Sequence, residues 1–280
     1  MPNDIKNKDL SFKDVFITSF KIYSLNIKTV VALAILVYIP IALLSQLVIE
    51  PQLYDLVFTL EAYVGGIDME QLMNIGALPI ELHDSILRSA YILIAAVAIS
   101  YALFMPIISS GSTLLVQKFT DDMQISSDDT ITLALSNILK TFVTVLLSFS
   151  LIILGLSLFV LPGIYLSIIF AFAIPAVIVS GKWGFGALRE SFSVVRGRWF
   201  VVFALIFITS IIAPLLSQIV TAIIITPFVF IVPSPIIINA AGSIISMILT
   251  VYFVMVECVW FINKYFLKQK FEITTHCPPQ

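Results

Sequence analysis

Charge is the first thing this sequence lacks. Only 11% of its 280 residues are Asp, Glu, Lys or Arg, against 60% hydrophobic, where a soluble domain carries about 25% and 45–50%. With 15 basic and 17 acidic side chains, it cannot clothe a water-facing surface while hiding an apolar majority of that size. A soluble enzyme, a nucleic-acid binder and a disordered chain are excluded, leaving an integral membrane protein. The net charge of −2 gives no general attraction for polyanions. Cysteine is scarce too: Cys258 and Cys277 make neither a disulfide framework nor a zinc site. Two histidines, His83 and His276, are too few and too far apart for a histidine-paired metal, and His83-Asp84 beside Glu81 reads as a solvated loop. No G-x-S-x-G, H-E-x-x-H or Walker pattern occurs. No catalytic residue, metal or cofactor is expected. A short apolar run behind a basic start, the mark of a cleavable signal, is missing as well, so the N-terminus is expected to be retained.

What is present is hydrophobic length. A crossing of about 30 Å needs roughly 20 apolar residues, and six such runs occur: 29–49, 89–108, 141–161, 163–180, 199–225 and 236–262. The third and fourth are separated only by Leu161-Pro162-Gly163, which reads as a tight hairpin turn. With the N-terminus inside, 14 of the 15 basic residues fall in cytoplasmic segments and Arg88 alone outside. The outer loop, 50–87, has seven acidic residues and no other cation than Arg88 at its border. Its stretch 52–64 looks helical, ended by Gly65-Gly66.

Positions 19–48 and 191–220 align without gaps, identical at 11 of 30 places. The shared polar pair, Ser45-Gln46 against Ser217-Gln218, is the part that apolar composition explains least. Both copies run in the same direction, so the repeat is parallel. Each opens with an amphipathic stretch: Phe12, Val15, Phe16, Phe20 and Tyr23 in one, Phe185, Leu188, Phe192 and Val195 in the other. A weaker one, Ile131, Leu135, Ile138 and Phe142, precedes the third span. Such helices lie in the interface plane. The expectation is an all-α integral membrane protein of six transmembrane helices, a single polytopic domain over 1–280, built as three units of in-plane cytoplasmic helix plus membrane hairpin.

Five sets of residues are candidates for function. Glu257 is the one acid inside a span, near its end, where it is expected to face headgroups or pair with a cytoplasmic cation, with a gating or proton-coupled role as the sharper reading. Ser45, Gln46, Ser217 and Gln218 are expected to make helix-to-helix hydrogen bonds, with a paired substrate contact as the sharper reading. Lys182, Arg189, Arg196 and Arg198 enforce topology and touch anionic lipid or a partner. Leu161, Pro162 and Gly163 form the structural turn. Pro40, Pro106, Pro175 and Pro214 kink or end spans.

The segment Leu161-Pro162-Gly163-Ile164-Tyr165-Leu166, then 170–176, Gly181-Lys182, and 187–192 with Arg196-Gly197-Arg198-Trp199, resembles the YciC-like family of bacterial inner-membrane proteins. It is also similar to the membrane domain of some glycerophosphodiester phosphodiesterases. The resemblance implies a multi-pass protein of the bacterial inner membrane, and the basic-residue bias places both termini in the cytoplasm; the resemblance supplies no activity. About 18 residues follow the last span, too few for a phosphodiesterase domain. The leading functional expectation is non-enzymatic: an envelope component with membrane lipids or a membrane or envelope protein as partner, and no nucleic acid. The rivals are a transporter or permease subunit for a small or lipid-like solute, and a membrane anchor or regulator of a glycerophosphodiester enzyme.

Overall fold

The computed structural model describes residues 2–65, 80–123, 126–229 and 235–276. The middle of the acidic loop (66–79) and Cys277 lie outside the described residues, as do the side chains of Glu81, His83 and His276. The described elements are α1 (Pro2–Asn7), α2 (Phe12–Leu25), α3 (Ile27–Leu44), α4 (Glu50–Gly65), α5 (Ile80–Thr120), α6 (Ser127–Ser136), α7 (Ile138–Leu158), α8 (Val160–Ile169), α9 (Ala173–Ser180), α10 (Phe185–Val195), α11 (Trp199–Val229) and α12 (Pro235–His276). A π-helical stretch, Ser45–Ile49, joins α3 to α4. No strand occurs among the described residues.

Five of these stretches are long and apolar enough to cross a membrane: Ile27–Glu61, Ile138–Leu158, Val160–Ser180, Trp199–Phe228 and Ala240–Ile273. An all-helical chain with that many apolar helices fits a multi-pass membrane protein, because a helix satisfies its own backbone in hydrocarbon. The other expected span, 89–108, lies within α5, and several of its side chains are outside the described residues. The chain forms two compact units, residues 39–104 and the flanking stretches 1–38 with 105–280.

Local chemistry sets the helix ends. Ser11 caps α2 in a reciprocal box: its hydroxyl accepts from the Asp14 N–H at 3.3 Å and the Asp14 carboxylate accepts from the Ser11 N–H at 3.3 Å. The Ser11 hydroxyl, which donates to the Asp14 carboxylate at 2.9 Å, and after it the Ser11 N–H hold the Asp14 carboxyl below its ordinary value. Ser126 caps α6 similarly, accepting from the Asp129 N–H at 3.1 Å. Three sharp corners then turn a short helix into a long apolar one. At the first, the Asn26 amide donates back to the Ile22 carbonyl at 2.8 Å. At the second, Asn137 does the same to Leu133 at 2.9 Å. The third, between α10 and α11, uses Gly197 at φ 85, a backbone that side chains with a Cβ resist.

Past each corner the buried face has one spacing. Val30, Leu33 and Val37 are buried on α3, Thr141, Thr144 and Ser148 on α7, and Val202, Leu205 and Thr209 on α11. Each set starts four residues after Asn26, Asn137 and Arg198 respectively and steps i, i+3, i+7. The middle set is hydroxylic where its counterparts are largely apolar.

Three boundaries differ from expectation. The first apolar helix does not stop at 49 but runs without a break into α4, which covers the stretch 52–64 expected to be helical. Pro51 lacks an N–H and crowds the Leu47 carbonyl; the wider turn just before it, closed by the Glu50 N–H on the Ser45 carbonyl, lets the helix pass. The last helix likewise runs beyond 262, to His276. The hairpin turn is centred on Phe159, an extended residue at φ −159 and ψ 152. Leu161, Pro162 and Gly163 belong instead to the first turn of α8, where proline's missing donor costs nothing. Gly163 still matters to the turn: a Cβ there would collide with Leu156, and one on Gly155 would sit 3.2 Å from the Gly163 Cα.

Pro175 breaks the next stretch. Its ring cannot pack on the Ala171 carbonyl, and the Ala173 N–H bonds Phe170 at 3.0 Å rather than Ile169. The freed Ile169 carbonyl is taken by the Ser191 hydroxyl of α10 at 2.6 Å, a buried bond.

Candidate functional site

The basic face of the chain is organised by α10. Ala187, Leu188, Ser191, Val194 and Val195 are buried on its inner side, and Arg189 is exposed on its outer side. Lys182 donates to the Glu190 carboxylate at 2.6 Å, and Lys268 from α12 stands 3.5 Å from the other oxygen while donating to Ser193 at 2.7 Å. Burial would raise the Glu190 carboxyl, but the two ammonium groups outweigh it and hold it below its ordinary value. The hydrogen bond to Glu190 raises Lys182 in turn. Of the four expected lipid-facing cations, Lys182 is therefore committed to a carboxylate of its own chain. Arg189, Arg196 and Arg198 are exposed. None of the three makes an ion pair among the described residues, and Arg196 lies 5.8 Å from the Phe192 ring centre. Trp183, Phe185 and Phe200 flank them at 57%, 69% and 79% exposure. Bare guanidinium groups beside exposed rings are what a headgroup layer accommodates.

Glu257 sits differently from expectation. It pairs with no Lys or Arg among the described residues; it accepts from the Thr209 hydroxyl of α11 at 2.8 Å. The next residue, Cys258, is buried 3.3 Å from the Thr113 hydroxyl of α5. Around Thr113 runs the stretch Ser109-Ser110-Gly111-Ser112-Thr113, and a Cβ on Gly111 would meet Leu33 at 2.6 Å. The Ser110 and Ser112 hydroxyls are buried without a hydrogen-bond partner among the described residues. This small, polar stretch was not singled out in the sequence; its signal is small residues recurring in an apolar helix.

The Ser-Gln pairs do not reach other helices among the described residues. Gln46 is exposed and donates to Glu50 on its own helix at 2.7 Å, and Ser217 donates to its own Pro214 carbonyl at 2.9 Å. Gln218 is exposed. The expected helix-to-helix bonding is replaced by bonds within a helix, which i, i+3 and i, i+4 spacing makes available first.

A second missed residue is Asn263. Fully buried on α12, its amide donates to the Ile5 and Lys8 carbonyls, both at 2.8 Å, and its oxygen accepts from the Leu10 N–H at 3.3 Å. Lys264 beside it binds Asp9, and Lys6 binds Asp121 at 2.7 Å. Farther along, Tyr23 donates to the Ile248 carbonyl at 3.2 Å and Tyr252 to that of Phe16 at 3.3 Å, their rings 5.6 Å apart and edge-on. The N-terminal helices are thereby latched to α12. The one available signal was a lone Asn in an apolar run.

Among the described residues no group of three or more His, Cys, Asp or Glu is placed to hold a metal. No family model, curated protein or solved structure matches the chain.

Proposed function

We propose that this chain is a non-enzymatic multi-pass protein of the bacterial inner membrane that acts on the cytoplasmic leaflet through in-plane helices, α10 foremost. In this reading it has six spans, both termini are cytoplasmic, and the chain is three parallel units of in-plane helix and hairpin, related to the YciC-like membrane proteins. The common spacing of buried positions after the three corners supports the repeat, and the bias of basic residues supports the orientation. The observation that carries the function is the trio Arg189, Arg196 and Arg198: exposed, free of ion pairs with described residues, and bordered by exposed aromatic rings. Their occupant in this reading is anionic phospholipid.

The test is lipid retention by the full chain in nanodiscs, read by native mass spectrometry after mild delipidation. Each arginine is worth about 1 kcal/mol near an anionic surface, or roughly fivefold. Replacing all three by Gln should therefore strip phosphatidylglycerol while leaving protease accessibility of the termini unchanged. Equal retention by the variant would refute lipid as the occupant and point to a protein partner.

A further inference from the structure

Within the unit of residues 39–104, a cavity of about 430 Å3 opens between α4 and the first turns of α5. Gln52 and Asp55 line one wall; Asp84, Arg88, Ser89 and Ile92 line the other. The two acids and the guanidinium thus face one volume from two helices. No ion pair to a described residue engages Arg88 or Asp55. The lining passes from charged at Asp84 and Arg88 to apolar at Ile92, along the direction in which α5 becomes a continuous apolar run. On α4, Tyr54 and Phe58 flank Asp55 at 74% and 72% exposure. One helical turn apart, they form the aromatic edge typical of headgroup depth.

We propose that this cavity binds the headgroup of a phospholipid bearing a primary ammonium, of the phosphatidylethanolamine type. A guanidinium fork matches two phosphate oxygens. Carboxylates on both walls accept from an –NH3+ group, which has three donors. A trimethylammonium has no N–H to give them, and a headgroup with only negative charge meets two carboxylates for one cation. The apolar end at Ile92 and the rings of Tyr54 and Phe58 favour a lipid over a free zwitterion. The inference requires a membrane-embedded chain but not the role assigned to α10.

The experiment uses the full chain in nanodiscs with equal phosphatidylethanolamine, phosphatidylcholine and phosphatidylglycerol, with retained lipid counted by native mass spectrometry. Phosphatidylethanolamine should be held over phosphatidylcholine by about tenfold, and Arg88→Gln and Asp55→Asn should each erase that preference. Both variants should keep the phosphatidylglycerol that Arg189, Arg196 and Arg198 hold, so failure here is distinct from failure at α10. Should Arg88→Gln not fold, Asp55→Asn at an exposed position carries the test alone. Equal retention of the two zwitterionic lipids, or variants that behave as the parent, would overturn the proposal. Soluble phosphoethanolamine that binds lipid-depleted protein as tightly as the lipid would replace the lipid by a free solute and overturn it too.

Discussion

In residues 1–38 with 105–280, polar side chains reach between helices: Asn263 to α1 and the segment after it, Ser191 to the end of α8, Thr209 to Glu257, Lys268 to Ser193. Among the described residues of 39–104, Gln46 bonds Glu50, Thr59 the Asp55 carbonyl and Ser100 that of Ala96, each within one helix. The difference teaches where specificity resides. A bond between helices fixes which neighbour a helix takes, whereas one within a helix satisfies a group and says nothing of neighbours. The first unit is keyed by polar contacts; the second leaves its charged groups to line a cavity.

The strongest way to break that comparison is at Asn263. Asn263→Leu strands the buried Ile5 carbonyl and Leu10 N–H and the part-buried Lys8 carbonyl, and we expect a loss of about 3 kcal/mol. A lowered thermal midpoint and faster proteolysis of the first ten or so residues would register it; an unchanged midpoint would mean the latch is ornamental. Ser191→Ala should cost about 1–2 kcal/mol, because only the Ile169 carbonyl is orphaned. Chemical denaturation in mixed micelles reads this directly.

Smaller still is the Lys182–Glu190–Lys268 contact. Because Glu190 is held below its ordinary value, its contribution is present at neutral pH and fades as pH falls through that lowered value. The raised Lys182 keeps its share until pH rises through its own raised value. Glu190→Gln should lower the neutral midpoint slightly and flatten the acid limb, the two profiles converging at low pH. A steep acid limb in the variant would assign the sensitivity elsewhere. Last comes Gln46→Leu, an exposed change expected to shift stability by no more than about 0.5 kcal/mol. A large effect there would show that residues 39–104 are keyed as tightly as the rest.

Much of the fold was legible because local rules are written locally. The amphipathic starts at Phe12 and Phe185 and the onset of an apolar helix at Trp199 follow from spacing alone, and the first apolar helix begins at Ile27, two residues before the expected 29. What misled was proline. Pro162 marks where a helix begins, so reading it as the turn displaced the turn from Phe159. The first expected span ends at 49, yet the helix runs on, a single widened turn absorbing Pro51. Of the candidate site, the basic cluster was visible as composition, whereas its division into one engaged lysine and three bare arginines depends on Glu190 and Lys268 meeting across the fold. The Asn263 latch was out of reach, since its partners lie some 255 residues upstream.

That separation bears on how the protein is made. The segment that Asn263 grips leaves the ribosome some 255 residues before its receptor. Through that interval α1 must wait undocked, and closing a loop of that length adds only logarithmically to its entropic cost. The delay is one of time more than of free energy. A chain stalled before α12 would hold its earlier helices in the bilayer with α1 untethered, a state that quality-control proteases can recognise.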